Sequence, residues 1–274
     1  MRTVLPLCLV GVIVAAVAAG CGREAYERRL DESKRYFTYL DKLNQNLAPQ
    51  WIGRGVNLRV PKQFQVIPPK PKPKPKKGAA KGGGNDAPKD AADPPAEERD
   101  PRQPTFADII LPGLVGAFST KLATAGKGHE MGYLYVLTNG ELLGKKGSDE
   151  KAAQFNKDVI HTIAQAVGQP DPPPEKLGTD AVPKGEAWVP KRTFKTVRPG
   201  FPASIPPEKD YRIEIYNCKE QKNEVSLVYV LPENVSPAEK LGTNIDLSLE
   251  TLEITGRSAV AGSPEAKAAA GRGL

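Results

Sequence analysis

Residues 68–104 constrain this chain more than any other stretch. They open with Pro68-Pro69-Lys70-Pro71-Lys72-Pro73-Lys74-Pro75-Lys76-Lys77, continue in Gly, Ala, Asp and Pro, and contain no Val, Ile, Leu or aromatic residue. Such a segment has nothing to bury against the entropy of ordering it. Alternating Lys and Pro favours an extended polyproline II conformation, stretched further by repulsion among the lysines. Any core must therefore come from the sequence on either side. With 274 residues and 39% hydrophobic content, that core is one modest unit.

The flanks decide whether the tract separates two domains or hangs from one. Val56, Leu58 and Val60 alternate ahead of Pro61, which predicts a strand over 56–66 in the same sheet as the later strands. This gives a single α+β domain built from residues 51–67 and 105–256, with 68–104 as a disordered, basic, Pro-rich insertion. A long insertion is easy to carry, because each doubling of a flexible loop costs only about 0.6 kcal/mol.

At the amino terminus Arg2 precedes an uncharged stretch of Val, Leu, Ile and Ala that ends in Ala18-Ala19-Gly20-Cys21. This is the pattern of an export signal. Small residues directly before a Cys resemble the lipobox of bacterial lipoproteins. The resemblance covers the first 21 residues, and Ala18 stands where the lipobox favours Leu. It implies a signal peptide over 1–20, cleavage before Cys21, and a diacylglyceryl (palmitate-type) modification on the Cys21 sulfur. It further implies a periplasm-facing lipoprotein of the cell envelope, with outer-membrane sorting suggested by Gly22 in place of Asp. Two alternatives stay open: ordinary secretory cleavage, and an uncleaved anchor, since 3–22 would make about 30 Å of helix. After cleavage and lipidation Cys218 is the remaining thiol, so no intrachain disulfide is expected.

From Tyr26 to Leu47 the positions Tyr26, Leu30, Phe37, Leu40, Leu43 and Leu47 form one stripe of an amphipathic helix that Pro49 stops. It makes a lipid-anchored stem over 21–50. The stripe suits docking on the protein's own domain, a coiled-coil seam or a membrane surface.

Charge is unevenly distributed. Residues 68–104 hold nine basic and six acidic groups, whereas 105–274 hold twenty and twenty-one. The neutral body removes nucleic acid as a partner despite the overall charge of +7. Lys70, Lys72, Lys74, Lys76, Lys77 and Lys81 instead suit a salt-sensitive contact with anionic lipid or wall polymer.

In the body, Met131–Leu137 predicts a buried strand. Ser148 is a plausible N-cap for a helix with Ala152, Phe155, Val159, Ile163 and Val167 on one side, ended by Gly168 and the Pro170–Pro174 run. Beyond a Pro-rich loop, Tyr211–Ile215 and Val225–Leu231 predict a hairpin across a Lys219-to-Asn223 turn. Residues 245–254 hold one more element of ambiguous period, and 257–274 is a disordered tail. The expected fold is a mostly antiparallel sheet packed on one or two helices. In element order alone it resembles the sheet-and-helix sandwiches of the PsbP type. A shorter echo links Tyr135-Val136-Leu137 with Tyr229-Val230-Leu231 and suggests two related halves.

Signatures of catalysis are missing. No nucleophile elbow, P-loop, dinucleotide fingerprint or HExxH motif occurs, and His129-Glu130 lacks a second His. His161 suits a surface position, Glu250 and Glu253 an exposed helical turn, and Cys218 a core filler. Neither a cofactor nor a metal is expected. The reading is a non-catalytic, lipid-anchored envelope protein that binds or scaffolds an unidentified envelope protein. One alternative is a small-molecule or lipid-binding module with an apolar pocket lined by Tyr133, Tyr135, Phe155 or Tyr229. The other is a cell-wall hydrolase.

Overall fold

The computed structural model describes residues 4–70, 99–125, 128–143, 145–184, 188–205 and 209–255, with side chains from Arg23 onward except at Pro199. The chain divides into two compact units, Met1–Pro49 and Gln50–Leu274. The first is one helix, α1 (Val4–Asn46). It contains Cys21 and continues into the predicted stem without a break. An Arg23–Glu27 pair one turn apart, at 2.9 Å, and the Asn46 amide on the Lys42 carbonyl brace its exposed part. Tyr26, Leu30 and Phe37 of the predicted stripe are exposed.

The second unit is a mixed fold with a mostly antiparallel sheet, as its alternating patterns require. Its elements are β1 (Trp51–Gly53), β2 (Val56–Leu58), β3 (Gln65–Val66), β4 (Leu114–Thr124), β5 (Gly128–Thr138), α2 (Asp149–Ala166), β6 (Gly178–Val182), β7 (Arg192–Ile205), β8 (Lys209–Glu220), β9 (Asn223–Pro232), α3 (Leu241–Glu250) and β10 (Glu253–Ile254). Seven strands pair antiparallel in the order β3-β4-β5-β9-β8-β7-β6. The hairpins β4–β5 and β8–β9 thus meet along their second strands at the centre. The β8–β9 turn is tight, with Glu220 opposite Asn223 and Gln221 at positive φ.

One face of the sheet is closed by α2. Phe155, Val159, Ile160, Ile163 and Ala164 pack on Tyr135, Leu137, Val228, Val230, Ile213 and Ile215. Alternate residues of the same strands face the other way, where Phe64 and Tyr216 meet Tyr229 edge-on and Trp51 meets Phe118. That face also receives α3, whose Asp246 approaches Arg198, itself 3.9 Å from Glu214 between Ile213 and Ile215. The unit therefore has a helix on each side of the sheet, with the small sheet β1-β2-β10 beside α3.

Three expectations are corrected. Residues 56–66 do not form one strand of the main sheet: Val56–Leu58 pairs with β1 and β10, and only Gln65–Val66 adds to β4. Pro61 interrupts the extended run between them, and the donors on either side serve different partners. The predicted Pro-rich loop before Tyr211 contains two strands, β6 and β7. β7 tolerates Pro199 and Gly200 because its pairing with β8 is broken by a bulge between Val197 and Phe201, where Gly200 has φ +105° and a side chain would strike the Ile213 carbonyl. The ambiguous element at 245–254 is α3 followed by β10, so Glu250 and Glu253 do not share a helical face.

The echoed strands are neighbours, but Tyr135 opposes Val228 and so faces α2, whereas Tyr229 points to the other side. The echo does not mark equivalent positions. Both flanks of the 68–104 insertion are fastened to the start of β4: the Ile67 N–H donates to the Ala117 carbonyl at 2.8 Å, and the Arg102 guanidinium to the Val115 carbonyl at 3.4 Å.

Candidate functional site

Three adjacent strands lose their apolar character at the same end. Toward α2, β8 presents Tyr211, Ile213 and Ile215 and then Asn217 and Lys219. On the same face β7 goes from Val197 to Lys195 and Thr193, and β9 from Val230 and Val228 to Ser226. The polar ends form the floor of an open cleft of about 650 Å³. One wall is α2, through Asn156, Lys157 and Ile160. The other is the segment from Asp171 to Leu177, whose Pro172, Pro173 and Pro174 offer rigid apolar rings. A cleft of this size is within the usual range for small-molecule sites.

Each wall is fixed. His161 Nδ1 and Asp171 lie 2.7 Å apart and clip the proline segment to α2. The Asn156 N–H donates to Glu224 at 3.1 Å, and Asn156 Oδ1 accepts from Ser226 Oγ at 2.8 Å. Because Ser226 is the partner of Asn217 across β8–β9, the carboxamides of Asn156 and Asn217 flank one hydroxyl. Asn217 is only 5% exposed, and its Oδ1 has no hydrogen-bond partner. Among the cations, Lys219 is neutralised by Glu224 at 2.7 Å, Lys195 donates to the neutral Thr179 hydroxyl at 3.0 Å, and Lys157 is exposed with no carboxylate partner among the described residues.

A second cluster lies on the opposite face. The buried Glu214 carboxylate accepts from Tyr216 Oη at 2.7 Å and from Arg212 at 2.9 Å, with Arg198 and then Asp246 and Lys184 beyond it. Burial, followed by the neighbouring Glu214 charge, raises the Tyr216 phenol above its ordinary range. Both carboxylates, Glu214 and Asp246, have a cation, so the cluster ties β7, β8, α3 and the segment after β6 together.

The residues singled out in the sequence are dispersed. Cys21 lies within α1 and Lys70 is exposed, while Lys72, Lys74, Lys76, Lys77 and Lys81 lie outside the described residues. Tyr135, Phe155 and Tyr229 are core residues, Tyr133 stacks on Tyr135, and none of them lines the cleft. Cys218 is buried opposite Phe194, and that burial pushes its thiol up to about 11. Glu130 pairs with Lys209 at 3.4 Å. Among the described residues no group of three or more His, Cys, Asp or Glu could hold a metal ion, and no helix is long and apolar enough to cross a membrane.

No protein-family model matches the chain, and no curated protein is similar to it. Among solved structures, a crystal structure from Bacteroides thetaiotaomicron VPI-5482 at 1.50 Å is similar at 11% identity with a TM-score of 0.30, over 75% of this chain and 47% of that one. The chain thus spans less than half the length of that neighbour.

Proposed function

We propose that this chain is a lipid-anchored, non-catalytic binding module of the cell envelope, held by acyl chains on Cys21 and working through the cleft between α2 and the β7–β8 end of the sheet. The observation that carries the binding half is the cleft itself, with apolar walls, a floor of carboxamides and lysines, and a buried carbonyl oxygen awaiting a donor. The thiol and carboxylates that could serve chemistry are otherwise engaged: Cys218 is buried and held protonated, and Glu214 and Glu224 are paired with cations. The anchor half is supported by the uncharged run that ends in Ala18-Ala19-Gly20-Cys21. Two or three acyl chains at about 0.8 kcal/mol per buried methylene hold a protein stably on a bilayer.

The exposed Tyr26, Leu30 and Phe37 favour a second role for the stem. Beside Arg28 and Arg29, these side chains suit the headgroup region of the leaflet that carries the anchor, and the Lys-Pro tract would add contact with anionic lipid or wall polymer. Membrane fractionation of the native chain and of Cys21→Ala tests the anchor. The native chain is expected in the membrane fraction, with an unprocessed precursor accumulating under globomycin. A native chain that stays soluble, or one indifferent to the inhibitor, contradicts it.

A further inference from the structure

Resting on that binding reading, we infer that the cleft takes an N-acylated amino acid carboxylate, free or as the C-terminal residue of a peptide, with an apolar side chain. Three features of the cleft each demand a different part of that ligand. Asn217 is buried with an unpartnered Oδ1. Leaving a buried acceptor unmade costs about 1–3 kcal/mol, so a ligand N–H that meets it on a small turn of the Asn217 side chain toward the cleft recovers that loss. Lys157 and Lys195 bring two positive charges to a lining on which Asp171, bound to His161, is the one described carboxylate, while Lys219 is paired with Glu224, so the cleft keeps a net positive charge. They call for an anion. Ile160, Leu177 and Pro172–Pro174 form apolar walls and call for an apolar group.

An acyl amino acid joins all three on one short frame. In an extended residue the N–H and the carboxylate lie on the same side, so the N–H meets Asn217 Oδ1 while the carboxylate meets the lysines. The side chain then lies against the prolines. Inorganic phosphate has neither an N–H nor an apolar body, and a simple fatty acid has no N–H. The chain's own Lys-rich segment is excluded by its charge, which repels the cleft lysines.

The test uses the full mature chain, isotope-labelled in detergent, titrated with N-acetyl-L-leucine while the side-chain amides of Asn156 and Asn217 are followed by NMR. Both amides are expected to shift and saturate. 4-Methylpentanoate, which lacks the N–H, and N-acetyl-L-leucinamide, which lacks the charge, should each bind about tenfold more weakly. An acetylated tripeptide ending in Leu binds as well as N-acetyl-L-leucine if the natural source is a peptide, and more weakly if it is the free acid; either result supports the class. Asn217→Leu should weaken N-acetyl-L-leucine about tenfold and leave 4-methylpentanoate unchanged. Should that variant fail to fold, Lys157→Met, at an exposed position, should weaken both acids and not the leucinamide. Equal binding of N-acetyl-L-leucine and its amide overturns the ligand class but leaves a binding cleft. No shift from any probe, including a panel of neutral and cationic fragments, overturns the cleft as a site as well. Binding by a chain whose Cys21 is bare leaves this inference standing and removes only the anchor.

Discussion

Asn139 is fully buried at the end of β5, and its carboxamide makes three bonds that no other side chain could replace. Nδ2 donates to the Ala152 and Lys222 carbonyls, both at 2.9 Å, and Oδ1 accepts from the Glu224 N–H at 2.9 Å. One side chain thus joins the first turns of α2, the β8–β9 turn and the start of β9, the three pieces that position the cleft. Asn139→Ala strands these partners in a site with no room for bulk water. Each buried polar group left unmade costs about 1–3 kcal/mol. With two carbonyls and one N–H left short, the loss should come to about 3–5 kcal/mol. For a body of this size the melting temperature should fall by roughly 10 °C, at about 2–4 °C per kcal/mol. Asn139→Asp, which keeps the acceptor but loses both donors, should be no milder. Urea and thermal unfolding followed by circular dichroism measure both variants. A loss below about 1 kcal/mol would refute the view that this carboxamide pins α2 to the sheet.

Other perturbations probe separate parts of the account. Gly200→Ala places a Cβ 2.6 Å from the Ile213 carbonyl at φ +105°; it should cost about 2–4 kcal/mol in urea unfolding, and a neutral result would contradict the bulge. Phe155→Ala removes the ring at the centre of the α2 core and should cost about 3–5 kcal/mol, measured the same way. Burial raises the Cys218 thiol from 9.0 to about 11 and lifts Tyr135, Tyr216 and Tyr229 above the ordinary tyrosine range. These groups keep protons in the fold that the unfolded chain has lost, so stability is full below pH 9 and falls as pH rises through 9 to 11 and beyond. Tyrosinate absorbance from the three rings should appear together with unfolding; its growth in the folded protein would contradict their burial. Replacing 71–98 by a short Gly-Ser linker should leave the melting temperature unchanged or slightly higher, because loop closure becomes easier by about 0.6 kcal/mol per halving. A fall of several degrees would show that the segment supports the body.

The parts of this fold that were legible in sequence are those where period and boundary agree. The helix after Ser148 and the Tyr211–Leu231 hairpin combine a clean apolar rhythm with turn residues at their ends. β7 was illegible because Pro199, Gly200 and Pro202 read as loop punctuation, and only the broken pairing with β8 reconciles them with a strand. β2 and β3 read as one strand because alternation alone does not reveal a change of partner at Pro61. The cleft left a trace that is visible once register is known: Lys195, Asn217 and Ser226 each end an apolar phase. Which strands lie side by side is a long-range property, and without it three polar residues spaced along the chain look like ordinary strand ends. The aromatics expected to line a pocket are core residues instead, Tyr135 and Phe155 on the α2 side of the sheet and Tyr229 against Phe64 and Tyr216 on the other.

The anchor is the premise on which the envelope setting of the cleft rests, and the amino-terminal peptide of the protein recovered from membranes tests it directly. Trypsin releases Cys21-Gly22-Arg23 from a chain processed before Cys21, and its mass should carry a diacylglyceryl group on sulfur. The same tripeptide with a free thiol, or a chain from membranes that still begins at Met1, would contradict the account.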